Sequence, residues 1–369
     1  MKIGILTFHI TNNYGAVLQA YGLQEVLKEK GHEVEIVDYR NEEIQSKLNY
    51  FSIKKNSISK FIYHLLCYRE LTYKRVVFNS FREKFLNIST ENYKASSILN
   101  TNYDLFIVGS DQVWSPNLTG GLDKVYWGEY KGSTPIITYA ASSGDLSLLQ
   151  DDIKRKIKEY LYNFKDISVR EERLKLFLKN EFNINSTIVL DPTLLADKGV
   201  FNKICDKKLC EEPYLLVYNV EKTSKLHDIA IEIARKKGLK IIKVGLPTIF
   251  EKKEWKDDNI QIITPTIPQL LSLFKYANYI VTLSFHGTAF SLIFEKEFVS
   301  LRRSWNMARV ETLLTALNLK ERIIDNSNID NLSPIDYNYV KEVLSRKRND
   351  SLSYLLKNIQ NLTITSRFS

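Results

Sequence analysis

Residues 1–40, MKIGILTFHITNNYGAVLQAYGLQEVLKEKGHEVEIVDYR, decide the fold. Lys2–Phe8 is an apolar run of strand length, and His9–Gly15 is a polar loop. Ala16–Lys30 has helical periodicity and stops at Gly31, after which Glu33–Tyr39 reads as a second strand. Strand, helix and strand in this order form the building unit of a parallel α/β sheet.

The same alternation continues outward. Strands are predicted at Tyr103–Val108, Ile136–Ala141, Ile167–Arg170 and Thr187–Leu190, with helices at 146–163 and 171–180. The pattern breaks at 196–212 (ADKGVFNKICDKKLCEE) and Pro213, then resumes with strands Tyr214–Tyr218, Lys240–Gly245, Tyr279–Leu283 and Phe298–Leu301. Helices at 223–237, at 267–277 and from Gly287 accompany them. We therefore expect two Rossmann-like α/β domains facing a central cleft: 1–200, which includes the basic segment 54–84, and 201–335. A C-terminal helix within 336–369 is expected to return toward the first domain. Ligands of open parallel sheets bind beyond the carboxyl ends of the strands, so the loops 9–15, 109–115, 168–172 and 284–288 are where function is expected.

Composition excludes several classes. With 369 residues, 44% hydrophobic and 26% charged, the chain is neither disordered nor fibrous. The net charge of +9 is concentrated. Segment 54–84 holds eight basic residues (Lys54, Lys55, Lys60, Arg69, Lys74, Arg75, Arg82, Lys84) against Glu70 and Glu83. A local patch interleaved with Phe61, Tyr63, Tyr68, Tyr73, Phe78 and Phe81 suits an anionic membrane surface, and nucleic acid is not expected as a partner. The plainer account is a solvated helix that packs its aromatics on the domain. Cys67, Cys205 and Cys210 have neither disulfide nor zinc spacing. The N-terminus has no apolar signal region and no apolar run is long enough to span a bilayer, so a cytoplasmic protein, peripheral at the inner face of the membrane, is expected.

Four places can carry chemistry. The first loop, with Asn12, Asn13 and Tyr14, precedes a helix N-terminus and suits an anion or a sugar hydroxyl, though Asn is also an ordinary capping residue. It lacks the glycine spacing of a nucleotide loop. In Gly109-Ser-Asp-Gln-Val-Trp114, Gln112 and Trp114 offer an amide and an aromatic face to a sugar acceptor. Arg170 ends a strand and presents a planar fork for carboxylate or phosphate; Glu171 and Glu172 offer it an ordinary salt bridge instead. His286, in Ser284-Phe-His-Gly-Thr288, follows an apolar strand and opens a helix, a setting for general acid or base work. The other four histidines, His9 included, fall in no polar constellation. Arg302, Arg303 and Arg309 lie downstream as further cations. Metal-ligand spacings are absent, and Asp191-Pro-Thr193 stands alone, so a metal-free site is expected.

The stretches ILTFHITNNYGAVLQAYGL, FIVGSDQVW, YAASSG, SVREE, VLDPTLL, LSFHGTAFSLIFEKEFVSL and ARVETLL, in that order, resemble the polysaccharide pyruvyl transferases over nearly the whole chain. The resemblance implies a fold like the glycosyltransferase B type and a phosphoenolpyruvate donor, with no other cofactor. It also implies transfer of the enolpyruvyl group to sugar hydroxyls as a ketal, on a lipid-linked oligosaccharide or surface-polysaccharide precursor. Arg170 and His286 correspond to donor contacts, with Ser284, Thr288 and Arg309 beside them. Asp111 is the candidate base for the acceptor, which Asn13, Tyr14, Gln112 and Trp114 are expected to hold. Many members carry Arg-Leu-His where this chain has Ser284-Phe285-His286. One cation is therefore missing, and Arg303 or Arg309 is positioned to replace it. A nucleotide-sugar glycosyltransferase, with Glu311 as its late carboxylate, is the enzymatic alternative. A non-catalytic sugar-binding or assembly protein is the other.

Overall fold

The computed structural model describes residues 1–48, 58–93, 102–129, 133–144, 146, 149–219, 224–302, 307–325, 329 and 331–365. It divides into two compact units. One comprises Met1–Ser52, Arg82–Ala196 and Ser345–Ser369, the other Ile53–Phe81 and Asp197–Leu344.

In the first unit, strands β1 (Lys2–Leu6), β2 (Glu33–Tyr39), β3 (Ile88–Tyr93), β4 (Leu105–Val108) and β5 (Ile136–Thr138) form a sheet of order β3-β2-β1-β4-β5. All its pairings are parallel. A parallel pair, β6 (Ser168–Val169) and β7 (Thr187–Ile188), attaches beyond β5 through single bridges. The helix Tyr14–Glu29 is buried along most of its length, and Gly22 explains how closely it packs. A Cβ there would stand 2.8 Å from the Pro192 carbonyl oxygen. Gly31, at φ +82°, ends this helix in the left-handed conformation that glycine adopts without cost.

The second unit repeats the design with β8 (Tyr214–Tyr218), β9 (Lys240–Val244), β10 (Ile260–Ile263), β11 (Tyr279–Thr282), β12 (Phe298–Leu301) and β13 (Ile323–Ile324). Its order is β10-β9-β8-β11-β12-β13, again all parallel. Thr266 and Gln269 form a reciprocal capping box that starts the helix Ile267–Tyr276. Each sheet therefore reverses its winding once, between β1 and β4 in the first unit and between β8 and β11 in the second. Those reversals are where a doubly wound sheet opens a crevice for a ligand.

The α/β reading with two Rossmann-like units holds. Its boundaries need correction. The chain leaves the first unit after Ser52, returns at Arg82 and leaves again after Ala196, so Ile53–Phe81, most of the basic segment, counts with the second unit although the sequence placed it in the first. Strands β3, β10 and β13 were not foreseen. They lie at or beside sheet edges, where a strand needs no continuous apolar run, and β13 has only two residues. The last helix runs Tyr337–Thr365, because nothing in its sequence breaks it.

Candidate functional site

At the reversal of the second sheet, Thr282 ends β11. Its hydroxyl donates to the Tyr218 carbonyl oxygen at the end of β8 (2.6 Å) and accepts from the Ser284 N–H (3.0 Å). The two central strands are thus stitched together where the chain turns into the helix Phe285–Ile293. Gly287 permits this, because a Cβ there would collide with Thr282 Oγ1. Ser284 caps the helix in extended conformation but makes no side-chain capping bond, so the first-turn N–H groups have no cap from it. Burial raises the Tyr218 phenol pKa, and a hydrogen bond with the Ser284 side chain partly opposes that.

His286 sits in this first turn, 7% exposed, edge-on to Phe285 at 5.3 Å between centroids. The Arg309 guanidinium lies 5.8 Å from the Phe285 ring, which brings a cation to the same helix end. Arg302 is engaged elsewhere, with Asp325 (3.0 Å) and Glu311 (2.8 Å). Arg303 lies outside the described residues. Thr288, expected to touch the donor, is fully buried and turns its hydroxyl back onto the Ser284 carbonyl (3.2 Å), so it serves the helix instead.

The first unit gathers a different set. Beyond β4, Asp111 adopts φ +72° and accepts from the Gln112 N–H (2.9 Å). Arg170, beyond β6, is buried among three carboxylates. It pairs with Asp191, and lies 3.8 Å from Asp111 and 4.0 Å from Glu171. Burial opposes its charge, but Asp191, Glu171 and Asp111 more than compensate and hold its pKa above the ordinary value. Asp191 also accepts from the Thr193 N–H (2.9 Å) and hydroxyl (2.6 Å) and from Ser110 Oγ (3.3 Å). The structure thus gives Arg170 the carboxylate pairing that the sequence offered as the ordinary alternative to a donor clamp. Its side chain is 2% exposed and its charge is already answered by acids drawn from three loops.

The acceptor candidates divide likewise. Trp114 is fully buried and stacked on Trp127 at 4.7 Å, with Nε1 donating to the Tyr126 carbonyl (2.8 Å). It is core, and its expected sugar contact is withdrawn. Tyr14 is buried, and Asn13 caps the first helix by accepting from the Gly15 N–H (2.9 Å). Gln112 is half-buried beside Gly144.

His9, which the sequence leaves in no constellation, belongs to a polar cluster at the end of β1. Its Nε2 lies 2.9 Å from Asp38 Oδ1, and Asp38 also accepts from Arg40 Nε (2.9 Å) and Nη2 (2.8 Å). Arg82 donates to the carbonyls of His9 (3.4 Å) and Thr11 (3.2 Å) and to Asn12 Oδ1 (3.2 Å), pinning the first loop. Burial works against the Asp38 charge, but hydrogen bonds from His9 and Arg40 pull its pKa down to about 2, against an ordinary value of 3.8. A depressed carboxyl stabilises the fold above its unfolded pKa and loses that contribution as pH falls. About 2 kcal/mol should therefore disappear between pH ~4 and ~2. Acid unfolding of Asp38→Asn should lack that limb, and parallel curves for variant and wild type would assign it to another group.

Among the described residues no His, Cys, Asp and Glu cluster could hold a metal ion, and no helix is long and apolar enough to cross a membrane. No curated protein matches the chain. Among solved structures, the S. aureus MnaA-UDP co-structure matches with TM-score 0.50 and 14% identity, covering 94% of this chain and 90% of that one. UDP-GlcNAc 2-epimerase from Neisseria meningitidis, bound to UDP-GlcNAc, matches with TM-score 0.49 and 11% identity over 98% and 93% of the two chains. The first of these likenesses supports the paired α/β fold and nothing finer. The family described as polysaccharide pyruvyl transferase matches residues 13–304, a span that includes Asp111, Arg170, Asp191 and His286, and the chain belongs to that family.

Proposed function

We propose that the chain transfers the enolpyruvyl group of phosphoenolpyruvate to two hydroxyls of a sugar, forming a pyruvate ketal on a lipid-linked oligosaccharide or surface-polysaccharide precursor. One observation carries this reading: His286 stands in the first turn of a helix that opens at the winding reversal of its sheet, with Arg309 at the same helix end. Helix N–H groups and an arginine suit the phosphate and carboxylate of the donor.

The chemistry follows from these groups. His286 delivers a proton to the vinyl carbon, which becomes a methyl group, and positive charge develops at the adjacent carbon. A sugar hydroxyl attacks that carbon and gives up its proton to a base. The C–O bond to phosphate breaks, the leaving anion being stabilised by the helix amides and Arg309, and a second hydroxyl closes the ketal, its proton restoring the His286 imidazolium. The nucleotide-sugar alternative loses support here, because its carboxylate, Glu311 in the helix Ala308–Ala316, is already paired with Arg302 at 2.8 Å.

The test is incubation with phosphoenolpyruvate and a panel of lipid-linked glycans, following free phosphate and glycan mass. Phosphate release matched by pyruvate addition is expected. Transfer from a nucleotide sugar, with phosphoenolpyruvate untouched, would overturn the proposal.

A further inference from the structure

The helices Ile58–Leu66 and Tyr68–Phe85 are continuous in phase: the Cys67 N–H donates to the Tyr63 carbonyl (2.9 Å), and the Leu71 N–H donates to the Cys67 carbonyl (3.0 Å). One side of this rod is buried through Cys67, Leu71, Val77, Phe78 and Phe81. The opposite side should then be polar, and it is not. Ile62, Leu65, Leu66, Arg69, Tyr73 and Val76 fall within about 100° of arc at ~100° per residue. The five apolar or aromatic members of that stripe are all about half exposed or more, from 49% at Ile62 to 60% at Leu65. With Tyr68 and Arg75 they complete the exposed residues between Ile62 and Val76, and none is acidic.

The stripe continues onto a second element of the same unit. Tyr63 packs against Phe250 at 5.7 Å between centroids, and the helix Ile249–Glu254 exposes Ile249, Phe250, Lys252, Lys253 and a single acid, Glu254, beside it. Contiguous exposed apolar surface edged with cations marks an interaction site.

We infer that this stripe docks the protein on an anionic lipid surface. Aliphatic side chains enter the headgroup region, the tyrosines sit at the boundary, and Arg69, Arg75, Lys252 and Lys253 meet lipid phosphates. A second copy of the chain fits less well. A two-fold contact would set arginine against arginine, with no exposed acid between Ile62 and Val76 to answer it. Of the cations the sequence suggested, Arg69 and Arg75 are kept, and Lys252 and Lys253 join them. Lys74 turns its ammonium over the Phe78 ring (5.8 Å), Arg82 is spent on the first loop, and Lys54, Lys55 and the side chain of Lys60 lie outside the described residues.

The test is co-sedimentation of the full chain, without substrate, with vesicles of phosphatidylcholine alone or mixed with phosphatidylglycerol. Binding to the anionic vesicles is expected at about 0.01 M salt and should weaken toward 1 M, as the screening length falls from ~30 to ~3 Å. Arg69→Gln and Arg75→Gln should each weaken it about 5-fold. Leu65→Ser with Leu66→Ser should weaken it at every salt concentration, and both positions are exposed, so folding is retained. Absence of binding at low salt, or binding indifferent to both sets of substitutions, would overturn the proposal. So would a vesicle-free dimer dispersed by Leu65→Ser with Leu66→Ser, which would assign the stripe to a second copy. Because no substrate is present, failure here leaves the transferase reading untouched, and failure of that reading leaves this one.

Discussion

Replacing His286 with alanine should lower turnover about 10²–10⁴-fold, the usual worth of a positioned proton donor. His286→Gln should fall with it, because glutamine keeps much of the volume but cannot deliver a proton near neutral pH. The comparison matters because His286 is buried and its removal alone could loosen the helix Phe285–Ile293. Thermal unfolding run in parallel separates the two effects: an intact transition with lost turnover assigns the acid to His286. A folded variant with near wild-type turnover would remove His286 from the chemistry.

The largest effect on stability is expected at Asp191. Truncation to alanine leaves the buried Arg170 guanidinium with its closest carboxylate gone, which costs about 3–5 kcal/mol in comparable buried pairs. The Thr193 hydroxyl and amide lose their acceptor in the same stroke, whereas Ser110 keeps the Ala140 carbonyl (3.0 Å). Asp191→Asn keeps an acceptor for Thr193 and should cost less. Urea titration of both variants decides it, and a loss under about 1 kcal/mol for the alanine variant would show that Asp111 and Glu171 suffice to hold the arginine.

The parts that were legible in the sequence share a physical character. β1, β4, β8 and β11 are central strands covered on both faces, so they read as unbroken apolar runs, and the polar residues that follow them mark strand ends without ambiguity. His286 is legible in this way. The Arg170 environment is not, because its acids come from positions 111, 171 and 191, and only the sheet brings those loops together. The His9–Asp38 pair is hidden for the same reason, since its partners end neighbouring strands 29 residues apart. Trp114 misleads because an aromatic after a strand suits a sugar face as well as a core. Trp127, thirteen positions on, decides for the core.

The helix Tyr337–Thr365 has a consequence for synthesis. From Ser345 onward it counts with the unit that contains the N-terminus. There Arg348 Nε donates to the Leu194 carbonyl (2.7 Å), Ser351 Oγ accepts from the Leu190 N–H (2.9 Å), Tyr354 donates to the Thr138 carbonyl (3.1 Å) and Asn358 donates to Asp166 (3.0 Å). These contacts hold the segment that follows β7, the residue Asp166 that precedes β6, and the end of β5. A nascent chain emerging from the ribosome therefore holds the first unit unfinished while the whole of the second is translated. The second unit lacks only its own contiguous span to close, apart from Ile53–Phe81, which is already made. Vectorial synthesis thus reverses the usual order: the amino-terminal half is the last to reach its native state, and a ribosome stalled before codon 345 would leave the seats of this helix at Leu190, Leu194 and Thr138 uncovered for chaperones to meet.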